Sequence, residues 1–376
     1  MLYLDHAATT PMRPEARDAM EPWLADGFGN PSGIHGVSRR AKHAREDARE
    51  RAAALLGAAH PLDVVFTGGG TGSDNLGVAG PALAWDRRAG VVVTAVEHEA
   101  VLETARFLER LGCPLTVVGV DRDGIVDPAG VAAAVGPRTA VVSVMTANNE
   151  TGARQPVAAV AAAVRGAGPA LVHTDAVQSF VSEEVTAAST GADLITLAAH
   201  KFGGPKGVGL LVVPRETPLE PVLHGGGQEM GRRSGTHNVA GIAGMVAAME
   251  AAAADRDRFR SDVGEARRRF EETVAARVEG FTVNAAADRL VQHSHVRFAG
   301  VRAETLLIRL DGLGLAASAG SACSAGAVTF SHVLAAMGMR SVDAYECVRF
   351  SFGWTTRPGD GDEAAAMVLE ALEGLR

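Results

Sequence analysis

From Pro61 to Val213 the chain repeats one pattern: short apolar runs of strand length, separated by alanine-rich amphipathic stretches. The runs are Val64–Phe66, Val91–Val93, Leu115–Val118, Ala140–Val144, Ala170–His173, Leu194–Leu197 and Gly209–Val213. A strand that is apolar at consecutive positions has both faces to cover. Helices placed between such strands cover them and make the crossovers parallel. The expectation is an α/β domain of three layers around a mostly parallel sheet, with ligands at the carboxyl ends of its strands.

Between Asn238 and Glu279 a long helical pattern places Ile242, Met245, Val246, Met249, Phe259, Val263, Phe270 and Val274 at apolar positions. Beyond it come strand-like Phe281–Val283 and His295–Phe298, a helix around Thr305–Leu310, strand-like Cys347–Ser351 and a final helix from Asp362. These read as a smaller α+β domain. The expected division is a large domain over 13–255 and a small domain made of 1–12 and 256–376.

Of the 376 residues 47% are hydrophobic and 21% charged, as in a globular protein of more than one domain. The net charge of -8, with no basic run interleaved with aromatics, argues against a nucleic acid as direct ligand. Neither a signal-like start nor an 18-residue apolar stretch is seen, so a cytoplasmic protein without a membrane partner is expected. Cys113, Cys323 and Cys347 are too few and scattered for a disulfide framework, and each reads as a free thiol.

Three stretches carry chemistry. Phe66-Thr67-Gly68-Gly69-Gly70-Thr71-Gly72-Ser73 ends a strand and opens a helix, offering bare N–H groups to an anion. It reads either as a phosphate cradle or as a plain glycine-rich turn, and it lacks the endings of a P-loop or a dinucleotide fingerprint. Lys201 follows an apolar strand within a loop of glycines and a proline, where a desolvated amine can form a Schiff base; the alternative is a surface lysine. Asp175 ends another run, with Gln178 three residues on, and suits either a pyridine nitrogen or a helix N-cap. Glu97-His98-Glu99 has no second His or Cys at ligand spacing, so no metal is expected.

Together with Tyr3-Leu4-Asp5-His6-Ala7-Ala8-Thr9-Thr10-Pro11, Gly29-Asn30-Pro31-Ser32, Asn148-Asn149-Glu150-Thr151-Gly152, Gly225-Gly226-Gly227-Gln228-Glu229, Arg233-Ser234-Gly235-Thr236 and Ser318-Ala319-Gly320-Ser321-Ala322-Cys323, these stretches give a specific ordered set. In that set the chain resembles the fold type I pyridoxal-phosphate enzymes of the class V aminotransferase branch, and within them the cysteine desulfurases. The resemblance implies pyridoxal 5'-phosphate on Lys201, with Asp175 at the pyridine nitrogen and Gln178 at the ring hydroxyl. It further implies Gly70, Thr71 and His200 at the phosphate, His98 stacked on the ring, and Thr236 reaching the phosphate of the partner subunit in a homodimer. Asn149 also belongs to the implied cofactor site, and with Arg349 it is implied to bind the substrate carboxylate.

The implied reaction is conversion of L-cysteine to L-alanine, with sulfur left as a persulfide on Cys323 and passed to an acceptor protein, a scaffold or a thiolation enzyme. Cys323, Lys201 and His98 are then the catalytic residues, and His98 is implied to take the substrate thiol proton. Cys323 lies among Gly, Ala and Ser, and its spacing to Ser331-His332 resembles the long-loop group. A selenocysteine lyase or a small-acid aminotransferase of the same class is the rival reading. Ala198 stands where Ser or Thr is usual, and Gly72 where Glu is common. A missing hydrogen bond to the charged phosphate is worth about 1.5–3 kcal/mol of cofactor binding.

Overall fold

The computed structural model describes residues 1–85, 89–285, 288–319 and 330–375. Among them lie β1 (Leu2–Tyr3), β2 (Val64–Thr67), β3 (Gly90–Thr94), β4 (Leu115–Val118), β5 (Thr139–Ser143), β6 (Leu171–Asp175), β7 (Leu194–Ala198), β8 (Gly209–Val212), β9 (Phe281–Val283), β10 (His293–Phe298), β11 (Leu315–Ala316) and β12 (Cys347–Ser351). The apolar runs of the first half all appear as strands, and they join in one sheet in the order β2-β8-β7-β6-β5-β3-β4. Pairs from β4 across to β7 are parallel, while β8 runs antiparallel to both β7 and β2.

Alternation along each strand divides the interior into two apolar layers, one on each face. Phe66, Val92, Val142, Val172, Leu197 and Leu210 point to one layer. Val65, Val91, Val93, Val141 and Leu211 point to the other, which the helices Gly70–Trp85 and Glu99–Arg110 cover through Leu76, Val101 and Leu108. The first layer is closed by Gly36–Leu56, Val157–Ala167 and Val239–Ala254. This is the three-layer arrangement expected of strands apolar on both sides.

Strand order fixes where a ligand can sit. From β3 the chain moves outward to β4, then returns to the opposite side of β3 as β5 and continues to β6 and β7. The segments leaving β3 and β5 therefore diverge, which opens a crevice beyond their carboxyl ends.

The helical pattern from Asn238 to Glu279 is not one helix. It divides into Val239–Ala254 and Arg256–Ala275 at Asp255, whose ψ of -4° flattens the helical turn. The Asp255 carboxylate holds that bend through Arg13 Nη1 at 2.9 Å and Arg258 Nη2 at 3.1 Å. The second helix packs Phe270 on Phe350 and Phe352, at ring separations of 4.8 and 6.1 Å, behind the antiparallel sheet β12-β10-β9. At the N-terminus β1 pairs with β11, and Asp5 bridges to Ser351 on β12, so the first residues and the last strand meet.

Gly209 on β8 crosses close to the Gly-rich turn after β2. A Cβ there would lie 2.6 Å from the Gly69 carbonyl carbon and 2.7 Å from the Leu197 oxygen, both backbone atoms that cannot swing aside. Gly209→Ala is expected to destabilise the fold by about 1–3 kcal/mol through overpacking. The check is a lower denaturant midpoint in equilibrium unfolding, and an unchanged midpoint contradicts this account of the crossing.

Candidate active site

The crevice holds a cavity of about 300 Å³ whose walls come from five strand ends. Gly70 and Thr71 follow β2, His98 follows β3, Asn149 follows β5, Asp175 ends β6, and Ala198, His200 and Lys201 follow β7. Gln178 and Arg349 complete it. Short loops at the carboxyl ends of neighbouring strands thus bring residues far apart in sequence to one space.

Thr67 Oγ1 and Ser73 Oγ, 2.7 Å apart, tie the glycine turn to the first turn of helix Gly70–Trp85. The N–H groups that open this helix have no intrahelical acceptor and carry its positive end toward the cavity. Lys201 Nζ donates to the carbonyl oxygens of Ala7 and Ala8, the latter at 3.0 Å. Burial, reinforced by Lys201 and Lys206, lowers the His200 pKa to about 4, so its ring is neutral at ordinary pH; Nδ1 lies 3.2 Å from Thr9 Oγ1. Gln178 Nε2 donates to the Ala7 oxygen at 3.0 Å.

His98 caps helix Glu99–Arg110 by accepting the Ala100 N–H at Nδ1, 3.1 Å away. In the neutral ring the proton then belongs on Nε2, so the free nitrogen is a donor. To take a thiol proton there the ring must first change tautomer and give up this cap.

Around Asp175, beneath the cavity, lies a layer of buried polar groups, most of which the sequence did not single out. Asp175 Oδ1 accepts the Val177 N–H at 2.9 Å, and burial raises the carboxyl pKa while nearby His98 and Lys201 oppose the rise. Glu97 accepts Thr94 Oγ1 at 2.6 Å and the Met145 N–H at 2.8 Å, yet burial pushes it up to about 8. Ser143 Oγ joins Glu97, at 3.4 Å, to His173 Nδ1, at 2.8 Å. His173 Nε2 reaches Thr196 Oγ1 at 3.0 Å and stands 3.7 Å from Asp74 Oδ1. Burial and the Asp175 charge raise the Asp74 carboxyl well above its usual range, and its Oδ1 has no hydrogen-bond partner among the described residues. Gly77 makes room for this layer, because a Cβ there would stand 2.6 Å from the His173 ring.

Arg349 on β12 enters from the other side. Its Nη1 donates to the Asn149 oxygen at 2.9 Å and its Nη2 to Asp5 Oδ1 at 2.7 Å, so the guanidinium is aimed while each terminal nitrogen keeps a second N–H. Asp5 belongs to the Tyr3–Pro11 segment, but nothing in its sequence spacing announces this partner. Thr236 is exposed and does not line the cavity of its own chain. Cys323 lies outside the described residues.

A sheet of this order with a lysine, a carboxylate and a glycine-rich turn at one crevice has known counterparts. The aminotransferase class-V profile matches residues 2–360, and the chain belongs to that family. A cysteine desulfurase IscS from Dictyoglomus turgidum is 40% identical across all of this chain and 95% of its own length. A solved NifS-like protein superposes with a TM-score of 0.92 at 32% identity, over 99% of both chains. SspA, solved in complex with cysteine, has a TM-score of 0.81 and 32% identity over 94% of this chain and 99% of its own. The fold is that of the fold type I pyridoxal-phosphate enzymes.

Glu97 gives a prediction about pH. Folded, it holds its proton up to about pH 8, whereas the unfolded chain releases it near 4.5. The stabilising contribution of the protonated form is complete below pH 4.5 and is lost as pH rises to about 8. Glu97→Gln is expected to flatten the fall in stability across that window, measured as urea midpoints at several pH values. Parallel curves for the two proteins contradict it.

Proposed function

We propose that the protein is a homodimeric, pyridoxal-phosphate-dependent cysteine desulfurase that forms L-alanine from L-cysteine and leaves the sulfur as a persulfide on Cys323. The observation that carries this reading is the convergence of Lys201, Asp175, Gln178, His98 and Arg349 on one cavity. Full-length relatives named cysteine desulfurase support it.

The residues fit the cofactor. Asp175, a buried carboxyl at a strand end whose pKa burial raises, lines the cavity where a pyridinium nitrogen would return it to the ionised form. The turn at Gly70 and Thr71, with neutral His200, offers donors to a phosphate, and Lys201 offers the amine. Ala198 adds only a methyl group, and a Cβ at Gly70 would come within 3.2 Å of it, so phosphate binding rests on backbone N–H groups, Thr71 and His200. When bound, pyridoxal phosphate supplies the electron sink that makes the substrate's Cα proton removable.

The remaining work falls to the chain. Arg349, held by Asp5 and Asn149, binds the substrate carboxylate and orients Cα toward Lys201. The Lys201 amine takes the Cα proton and later returns one. The Cys323 thiolate attacks the substrate sulfur; the new S–S bond forms as the Cβ–S bond breaks, and that electron pair ends as a C–H bond of alanine. His98 lines the same cavity, and with pyridoxal phosphate bound it would face the ring with Nε2 as a hydrogen-bond donor. Cys347 is no substitute nucleophile, because burial pushes its thiol up to about 12.

Dimerisation is supported by the exposed Thr236 and by the bare apolar side chains Leu223 and Met230 on the same stretch. No helix among the described residues is long and apolar enough to cross a membrane, and the proposed site for the enzyme is the cytoplasm, where a persulfide carrier meets its acceptor protein.

Two variants test the reading. Lys201→Ala is expected to lose the yellow absorption of the lysine-linked cofactor and all alanine formation. Cys323→Ser is expected to keep cofactor and cysteine binding, seen spectrally, but to form no persulfide. Sustained alanine and sulfide release by Cys323→Ser points instead to a lyase of the same class, such as one acting on selenocysteine.

A further inference from the structure

The short turn that follows β1 meets four residues of the site. Asp5 Oδ1 accepts from Arg349 Nη2 at 2.7 Å, the Ala7 oxygen accepts from Gln178 Nε2 at 3.0 Å, and Thr9 Oγ1 lies 3.2 Å from His200 Nδ1. Lys201 Nζ donates to the Ala7 and Ala8 oxygens, the latter at 3.0 Å. Ala7, Ala8 and Lys201 all line the main cavity.

The backbone of the turn explains why two consecutive carbonyls face the lysine. The N–H groups of Ala8 and Thr9 both turn to the Asp5 oxygen, at 3.0 and 3.4 Å. In a planar trans peptide the C=O points away from the N–H, so the Ala7 and Ala8 carbonyls, which share those two peptide planes, face the opposite side. That is where Lys201 stands. Neighbouring strands pin the turn in this form. The Tyr3 hydroxyl, on β1, donates to the Thr9 oxygen at 2.8 Å and lies 3.1 Å from the Asp5 oxygen. On β12, Ser351 Oγ accepts the Ala7 N–H at 2.9 Å and the Ser351 oxygen accepts the His6 N–H at 3.2 Å.

We propose that the Ala7 and Ala8 carbonyls are a seat for the Lys201 amine when it is not bonded to cofactor, and that Tyr3 and Ser351, which set this turn, are positioning residues of the proton transfer. The proposal rests on the reading of Lys201 as the base given above. A neutral amine has two N–H groups and one lone pair. With both N–H groups given to the two oxygens, the lone pair is held in one direction. It forms a new N–H bond as the substrate's Cα–H bond breaks, and the electron pair of that bond stays with the substrate. The ammonium so formed has three donors, two of them on the carbonyls. The third points where the proton came from, and from there Lys201 returns a proton to product.

The first measurement needs no turnover. A nitrogen bound by two carbonyl oxygens reacts more slowly with acetic anhydride than a free one. The full-length chain, freed of cofactor, is labelled at neutral pH and its peptides are quantified by mass spectrometry, with exposed Lys42 as the internal standard. Tyr3→Phe and Ser351→Ala are each expected to raise Lys201 labelling several-fold and to leave Lys42 unchanged. The second measurement turns over L-cysteine deuterated at Cα with the holoenzymes. Both variants are expected to lower kcat and to enlarge its deuterium isotope effect, while KM for cysteine stays close to that of the intact enzyme. A merely structural role would not single out the isotope-sensitive step. Unchanged Lys201 labelling, or an unchanged isotope effect, in a folded variant overturns the proposal. Tyr3→Phe carries the test if Ser351→Ala does not fold. An intact enzyme that makes no alanine overturns the desulfurase reading instead, and the labelling still decides the seat.

Discussion

Burying carboxylates at the carboxyl edge of a parallel sheet is the constraint on which the rest of this structure depends. Asp74, Glu97 and Asp175 are all withdrawn from water, and isolated charges there would cost several kcal/mol each. Local donors relieve part of this cost: Thr94 and the Met145 N–H at Glu97, and the Val177 N–H at Asp175. The remainder is met by holding protons, which is why burial raises all three carboxyls. Asp175 alone of the three stands beside both His98 and Lys201, so it is the group that a cationic ligand nitrogen would return to the ionised form.

Rigid surroundings keep that arrangement from collapsing. His173 is neutral, its pKa lowered to about 3 by burial, and both ring nitrogens are occupied. It spaces Asp74 from Glu97 and packs where Gly77 lacks a side chain. A second buried network fixes the stretch that carries Thr236. Arg49 grips Glu229 at 2.7 and 2.8 Å, His237 and the Phe66 N–H add to it, and these bonds overcome burial to hold Glu229 near a pKa of about 2. Glu229 and Met230 take positive φ values of 51° and 58°, a strained backbone that this network holds in place.

Contacts from the last third of the chain complete the crevice. Arg349 reaches it from β12, and Ser331 Oγ donates to Glu150 Oε2 at 2.7 Å while His332 Nε2 meets the Glu97 oxygen at 2.9 Å. These two contacts fix the chain immediately after residue 329 against the segments that carry Asn149 and His98. Asp5 closes the ring by joining the first residues to Arg349.

What the sequence determined by itself follows from local periodicity and local chemistry. Consecutive apolar residues at Val64–Phe66 or Leu194–Leu197 require cover on both faces, and that alone implies the three-layer sheet. Lys201 and Asp175 were legible because each directly follows or ends such a run, at the edge where ligands bind. The bend at Asp255 was not legible, because its cause is Arg13, some 240 positions away in the chain. The same holds for the pairing of Asp5 with Arg349 and for the Glu97–Ser143–His173 layer. Each is defined by burial and by a partner distant in sequence, and neither quantity exists until the strands have been brought into register.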